Sequence, residues 1–412
     1  MSGQWLQVFF EPLDVLLFRD HRPFDAGLQF RARTRLPFPT TFVGCLRTAL
    51  FRLLGADFSL RGKGDYFGVT EDWARPFLGG AHEPPKFEFH GPLLARRSAR
   101  GASSAAGPLE LFFPPPADLR APRGNPSRIL RLDFEAPPSG GENAGEIGRY
   151  RWNGVAMEPV NPTRKSPWLH QETSAKTELL DGFLTYRGAE WWRTGGDTAG
   201  WQTDFLKSRR ELFQVEERTG IARDDTLTVM EGMFYVAQML RFAEGTGFAG
   251  AIKTETHEQT QLVKRLNGRV APLGGKNRRA KISVLEGSAE LLPREWFIPP
   301  HGNQTHRVWL LTPAMGTVDA AALSAGYRCL GAVTERAIAA GGFDYAHGAP
   351  KPLWPIVGAG SILHVVNDGS PSTKPPTHIN DPSPPPGLDR YGEPGQLGYG
   401  WAVWQSTKGG TR

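Results

Sequence analysis

Glycine and proline set the first constraint on this chain, with 49 Gly and 35 Pro among 412 residues, against average usages that sum to about 12%. Proline fixes φ and removes a backbone donor, and glycine in a helix interior costs about 1 kcal/mol relative to alanine, so long helices cannot dominate. The chain is still long enough for two or three domains with full cores, and 39% apolar with 22% charged residues is a globular composition. Its two cysteines, Cys45 and Cys329, form no CxxC pattern. That excludes a disulfide scaffold and suits a reducing compartment. No apolar run approaches the roughly 18 residues of a membrane span and no basic, then apolar, leader opens the sequence, so a soluble cytoplasmic protein is expected.

Periodicity gives an α+β pattern. Residues 4–10 read as a strand, 13–18 as a further extended segment, and 39–54 as an amphipathic helix with Phe42, Leu46, Ala49, Leu50 and Leu53 on one face, an N-cap at residues 39–41 and Gly55 as its stop. Residues 83–163 are rich in Pro, Gly and Ser and read as loops with a few strands such as 109–113. Helices are expected at 177–184, 201–211 and 318–325, and strands at 248–254, 279–285, 307–312, 327–333, 361–366 and 399–404. The periodicity of 226–241 fits either state. The tract 369–386 reads as a surface loop without regular structure. These elements divide the chain into an N-terminal domain over 1–215 and a C-terminal domain over 216–412.

The common catalytic templates are missing: there is no GxxxxGK[ST], HExxH, GxSxG, or GxGxxG between a strand and a helix. The ten histidines lack ligand spacing, and His301 and His306, five apart, fit a solvated turn, so no metal or cofactor is expected. His21, between Arg19 and Arg22, is the one residue placed to act as base in metal-independent RNA cleavage, and that remains the alternative to a binding role. A net charge of +6 permits a polyanionic partner. Three segments place arginine beside glycine or an element end, as phosphate grips require: Arg19 with His21 and Arg22; Arg218, Gly220 and Arg223; and Gly274, Gly275, Lys276, Arg278 and Arg279. Thr40 at the helix start and Arg47 on its outer face are further contact candidates. Trp152, Trp168, Tyr186, Trp191 and Trp192 lie in polar surroundings where a base could stack, with core packing as the default for each.

The phrases Phe10-Glu-Pro-Leu-Asp-Val-Leu-Leu-Phe-Arg-Asp-His-Arg-Pro-Phe24 and Pro37-Phe-Pro-Thr-Thr-Phe-Val-Gly-Cys-Leu-Arg47 resemble the opening of the RAMP superfamily of CRISPR-associated proteins, in particular the third subunit of the Cmr (type III-B) effector complex. The stretches 218–235, 273–280, 351–352 with 357–365, and 395–400 follow in that family's order. The resemblance implies two ferredoxin-like (RRM-type) domains facing each other, with loop-rich insertions, and a non-catalytic role in antiviral defence. It further implies a hetero-oligomeric complex in which such a subunit holds the 5′ repeat-derived tag of the guide RNA. There it docks on the large polymerase-like subunit next to a RAMP backbone subunit. Carried onto this sequence, the residues expected at RNA are Arg19, His21, Arg22, Thr40, Arg47, Arg218, Gly220, Arg223, Gly274, Gly275, Lys276, Arg278 and Arg279.

Overall fold

The computed structural model describes residues 3–19, 34–60, 66–97, 109–125, 127–133, 150–152, 157–159, 168–169, 176–226, 228–285, 290–299, 305–317, 327–334, 338–344, 347–367, 378–380 and 391–406. The chain is mixed α/β, with several small sheets around two larger ones. Its first half contains β1 (Gln4–Pro12), α1 (Pro39–Leu53), β2 (Phe89–Arg97), β3 (Leu109–Phe112) and α2 (Tyr186–Arg193). There follow β4 (Phe213–Arg223), β5 (Val229–Phe242), β6 (Thr246–Thr254), α3 (His257–Lys264), β7 (Val270–Pro272) and β8 (Arg279–Val284). The last four strands used below are β9 (Thr305–Leu310), β10 (Tyr327–Val333), β11 (Ile362–Asn367) and β12 (Ala402–Ser406).

Why β1 is central follows from its side chains. Leu6, Val8 and Phe10 point to one apolar cluster and Trp5 and Phe9 to another, so both faces of the strand are buried. It lies in a six-stranded sheet of order β7-β8-β1-β6-β2-β3, antiparallel at each of these pairings. Helix α1 covers one face with Phe42, Leu46 and Leu50, and the Phe42 ring meets Phe10 and Phe248 edge-on at 5.0 and 5.1 Å. Helix α3 is entered through a capping box in which the Thr256 hydroxyl accepts from the Gln259 N–H and the Gln259 side chain accepts from the Thr256 N–H. The four strands β1, β2, β6 and β8, with α1 after the first and α3 after the third, stand in the order fourth, first, third, second. A boundary at 215/216 therefore cuts through this unit, because β6 and β8 pair with β1.

Strands β9 to β12 repeat that order as β12-β9-β11-β10. Val308, Leu310, Leu363, Val365 and Trp404 form a separate cluster on one face of this second sheet. Trp309, Ile362 and Val403 on the other face join Trp5, Phe9, Leu93 and Ala251 of the first sheet in a single cluster. At its centre the carboxylate of Asp118, 0% exposed, accepts from Trp192 Nε1 at 3.0 Å and from Arg307 Nη1 at 3.4 Å, with Arg131 Nε at 3.9 Å. These groups join an early loop, α2 and β9.

Several local expectations change. Residues 177–184 form strands at Thr177–Leu179 and Gly182–Leu184 rather than a helix, broken at the Asp181-Gly182 turn pair, and Gly182 approaches the paired strand so closely that a Cβ there would lie 2.3 Å from the Lys207 carbonyl. The 201–211 segment contains a 3-10 turn, a short strand and one turn of helix at Arg209–Leu212. Of residues 226–241, those from 229 onward are strand, within β5, and 226 lies in the turn before it. The helix expected at 318–325, and nearly all of the 369–386 tract, lie outside the described residues.

Candidate nucleic-acid interface

Among the described residues, strands β4 and β5 pair with each other and with no other strand, apart from an isolated bridge from Leu16 to Leu240. Eleven and fourteen residues long, they form a ribbon rising about 3.4 Å per residue. Its turn is held by Asp224, whose Oδ1 accepts from the Thr226 and Thr228 N–H groups at 3.0 and 2.8 Å. One face of the ribbon is covered by Val15 and Leu17, which pack on Ala237 and Met239. That contact joins 13–19 to β4–β5, and the β7–β8 turn meets both.

The turn approaches closely because of its glycines. Gly275 N–H donates to the Leu17 carbonyl at 2.8 Å, and a Cβ on Gly274, whose φ is +85°, would sit 2.6 Å from that oxygen. Lys276 and Asn277 follow at φ 54° and 51°, the left-handed region, which turns the lysine back over the ribbon. Its ammonium lies 3.8 Å from the centre of the Tyr235 ring and hydrogen-bonds the Tyr235 hydroxyl. Gly220 sits opposite Tyr235 in the ladder, and a Cβ there would collide with that ring at 2.1 Å. The Gly274–Gly275 pair thus packs against the protein's own backbone, with the Gly275 N–H spent on Leu17 rather than offered to an anion.

Three arginines converge on Asp14. Arg218 lies at 3.4 Å, Arg241 at 3.2 Å and Arg278 at 3.3 Å from its carboxylate. Glu216 binds the other side of two of them, Arg218 through Nε at 2.7 Å and Arg241 through its own Nε. Desolvation would raise the Asp14 pKa, but the Val15 N–H together with Arg218 and Arg241 holds it below the usual carboxylate range. Hydrogen bonds from Arg241 and then Arg218 bring Glu216 down to about 2. Both carboxylates are therefore ionised at neutral pH, and three guanidiniums stand against two carboxylates with Lys276 and the exposed Arg279 alongside. The carboxylates fix the guanidinium planes while leaving N–H donors and a net positive charge at the surface.

The structure thus unites Arg218, Gly220, Gly274, Gly275, Lys276, Arg278 and Arg279. Arg19 closes the same 13–19 segment, exposed and bridged to Thr34. His21 and Arg22 lie outside the described residues, as does the side chain of Arg223. Two candidates belong elsewhere. Arg47 donates from Nε to the Leu78 carbonyl at 2.8 Å and from Nη2 to that of Gly80 at 2.9 Å, so its fork straps a loop onto α1. Burial lowers its pKa to about 10, which leaves it charged. The α1 start is also occupied: Thr40 Oγ1 is 3.1 Å from the hydroxyl of buried Tyr399, and the N-cap is Phe38 with Pro39 following. Of the stacking candidates, Trp192 is core, Trp191 packs against Trp201 and Phe205, and Tyr186 against Trp296. The side chains of Trp152 and Trp168 lie outside the described residues. Buried His306 is held below its ordinary pKa by desolvation, and His301 is outside the described residues.

Sequence reasoning missed Asp14, Glu216, Tyr235 and Arg241. The period-2 spacing of Glu216 and Arg218 was the available signal, since it places both on one ribbon face.

No curated protein matches the chain significantly. Among solved structures it is similar to a chain of a type III-B Cmr-beta complex bound to cognate target RNA, at 16% identity and a TM-score of 0.44, covering 87% of this chain and 86% of that one. A second is from the same kind of complex with target RNA and AMPPnP, at 17% identity and a TM-score of 0.42, with coverages of 87% and 86%. The family described as CRISPR-associated protein (Cas_Cmr3) matches residues 8–407, nearly the whole sequence, and the chain belongs to that family.

Proposed function

We propose that this chain is a non-catalytic RNA-binding subunit of a type III-B CRISPR effector complex, in which the ridge formed by 13–19, β4–β5 and the β7–β8 turn holds the 5′ repeat-derived tag of the guide RNA. The observation that carries the reading is the convergence of Arg218, Arg241 and Arg278 on Asp14, with Lys276 beside them. Guanidiniums held in place by carboxylates present phosphate with donors already oriented, so little side-chain entropy is lost on binding. Single-stranded RNA is gripped through such backbone contacts. The shared strand order of the two large sheets supports a pair of ferredoxin-like domains, the first with α1 and α3 as its two crossovers. In this reading the opposite side of the molecule docks on the large polymerase-like subunit, beside a RAMP backbone subunit.

Binding of guide RNA with an intact tag, compared with the same RNA lacking it, tests this. The tagged RNA is expected to bind about tenfold more tightly, about 1.4 kcal/mol, and to be recovered whole. Equal affinity for both RNAs would refute tag recognition. Cleavage products that vanish in His21→Ala would replace the binding role with an endoribonuclease.

A further inference from the structure

Away from the ridge, we propose that Glu88, His90 and His378 form a site for one divalent first-row transition ion, zinc by its donor set, which ties the β2 edge of the first sheet to the segment preceding β12. One ligand atom from each residue lies within 4.8 Å of the other two. Glu88 and His90 are two apart along an extended segment, so their side chains share a face. His378 arrives from the other sheet's side of the molecule, through an isolated bridge to Trp401.

The separations suit a metal. Glu88 Oε1 and His90 Nε2 are 3.1 Å apart, close to the roughly 3.3 Å between two ligands that each stand about 2.0–2.2 Å from a tetrahedral zinc. The rings of His90 and His378 have centroids 4.9 Å apart and are tilted by 51°, so they are not stacked flat. Lys253 Nζ takes Glu88 Oε2 at 3.1 Å, which orients the carboxylate and leaves Oε1 on the histidine side. His90 is 4% exposed, and its Nδ1 makes no hydrogen bond.

The test is a titration of the tag-free full-length chain, stripped with a chelator, using Zn²⁺ and then Co²⁺ as an absorbance probe of tetrahedral geometry. One equivalent is expected to bind and to raise the Tm. Glu88→Gln and His378→Ala, each with unchanged far-UV circular dichroism, should bind at least about 100-fold more weakly. His82→Ala serves as control, because His82 Nδ1 and His347 Nε2 are also only 3.1 Å apart. Absence of stoichiometric binding would overturn the proposal. So would wild-type affinity in Glu88→Gln and His378→Ala, or loss of binding in His82→Ala.

Discussion

Replacing Arg218, Lys276 and Arg278 together by alanine is expected to weaken binding of single-stranded guide RNA by about 1.5 to 2 log units at physiological salt. Each lost phosphate contact also removes about 0.7 from the slope of log K against log salt, so the triple variant should lose about 2 from that slope. These residues come from β4 and the β7–β8 turn and meet through Asp14 and Tyr235. Their ion pairs are partly exposed, and such pairs contribute about 0–1 kcal/mol each to stability, so the variant should remain folded. Asp14→Asn changes the same cluster in the opposite direction. It removes a negative charge that opposes phosphate, while Glu216 still orients Arg218 and Arg241, so RNA binding should tighten several-fold. Opposite signs from neighbouring residues separate an electrostatic contact from general damage. Filter binding across a salt series reads both, and an unchanged slope in the triple variant would contradict the assignment.

Asp118→Ala is expected to destabilise the protein by about 3–5 kcal/mol, the cost of breaking a buried ion pair from one side. Asp118 is 0% exposed and Arg307 6%, and the carboxylate also accepts from Trp192 Nε1. Removing it leaves the Arg307 charge and an indole N–H buried without their acceptor at the junction of the two sheets. Arg307→Leu should cost less, since Trp192 and Arg131 still face the carboxylate. A urea titration followed by tryptophan fluorescence reports the difference, because Trp192 and Trp309 stand 5.1 Å apart in this core. A loss below about 1 kcal/mol for Asp118→Ala would mean that water replaces the carboxylate.

How far the sequence revealed these features depended on how local their causes are. Strand β1 and helix α1 were legible because alternation and a 3.6-residue stripe each lie within one short window, and α1 begins at Pro39 and ends before Gly55. Residues 177–184 were misread as a helix although Asp181-Gly182 is a turn pair, a local signal that outweighs the apolar spacing there. Arg47 looked solvent-facing on the helix, and only the fold-back of 78–83, more than 30 residues away, covers it. Thr40 was hidden in the same way, since its partner Tyr399 is 359 positions distant. In the candidate interface the arginines of β4 and the β7–β8 turn were visible as residue types, but their meeting point was not. Asp14 carries no signal of its own within the 13–18 run, and becomes the hub only when Leu17 packs on Met239 and receives the Gly275 N–H.

Site-specific photocrosslinking of the assembled complex, with 4-thiouridine at successive positions from the guide RNA 5′ end, tests the central claim most directly. The account predicts crosslinks from tag nucleotides to the segments 13–19, 218–223 and 273–279, with the RNA intact. Tag crosslinks that avoid all three segments, or that fall only on other subunits, would contradict it.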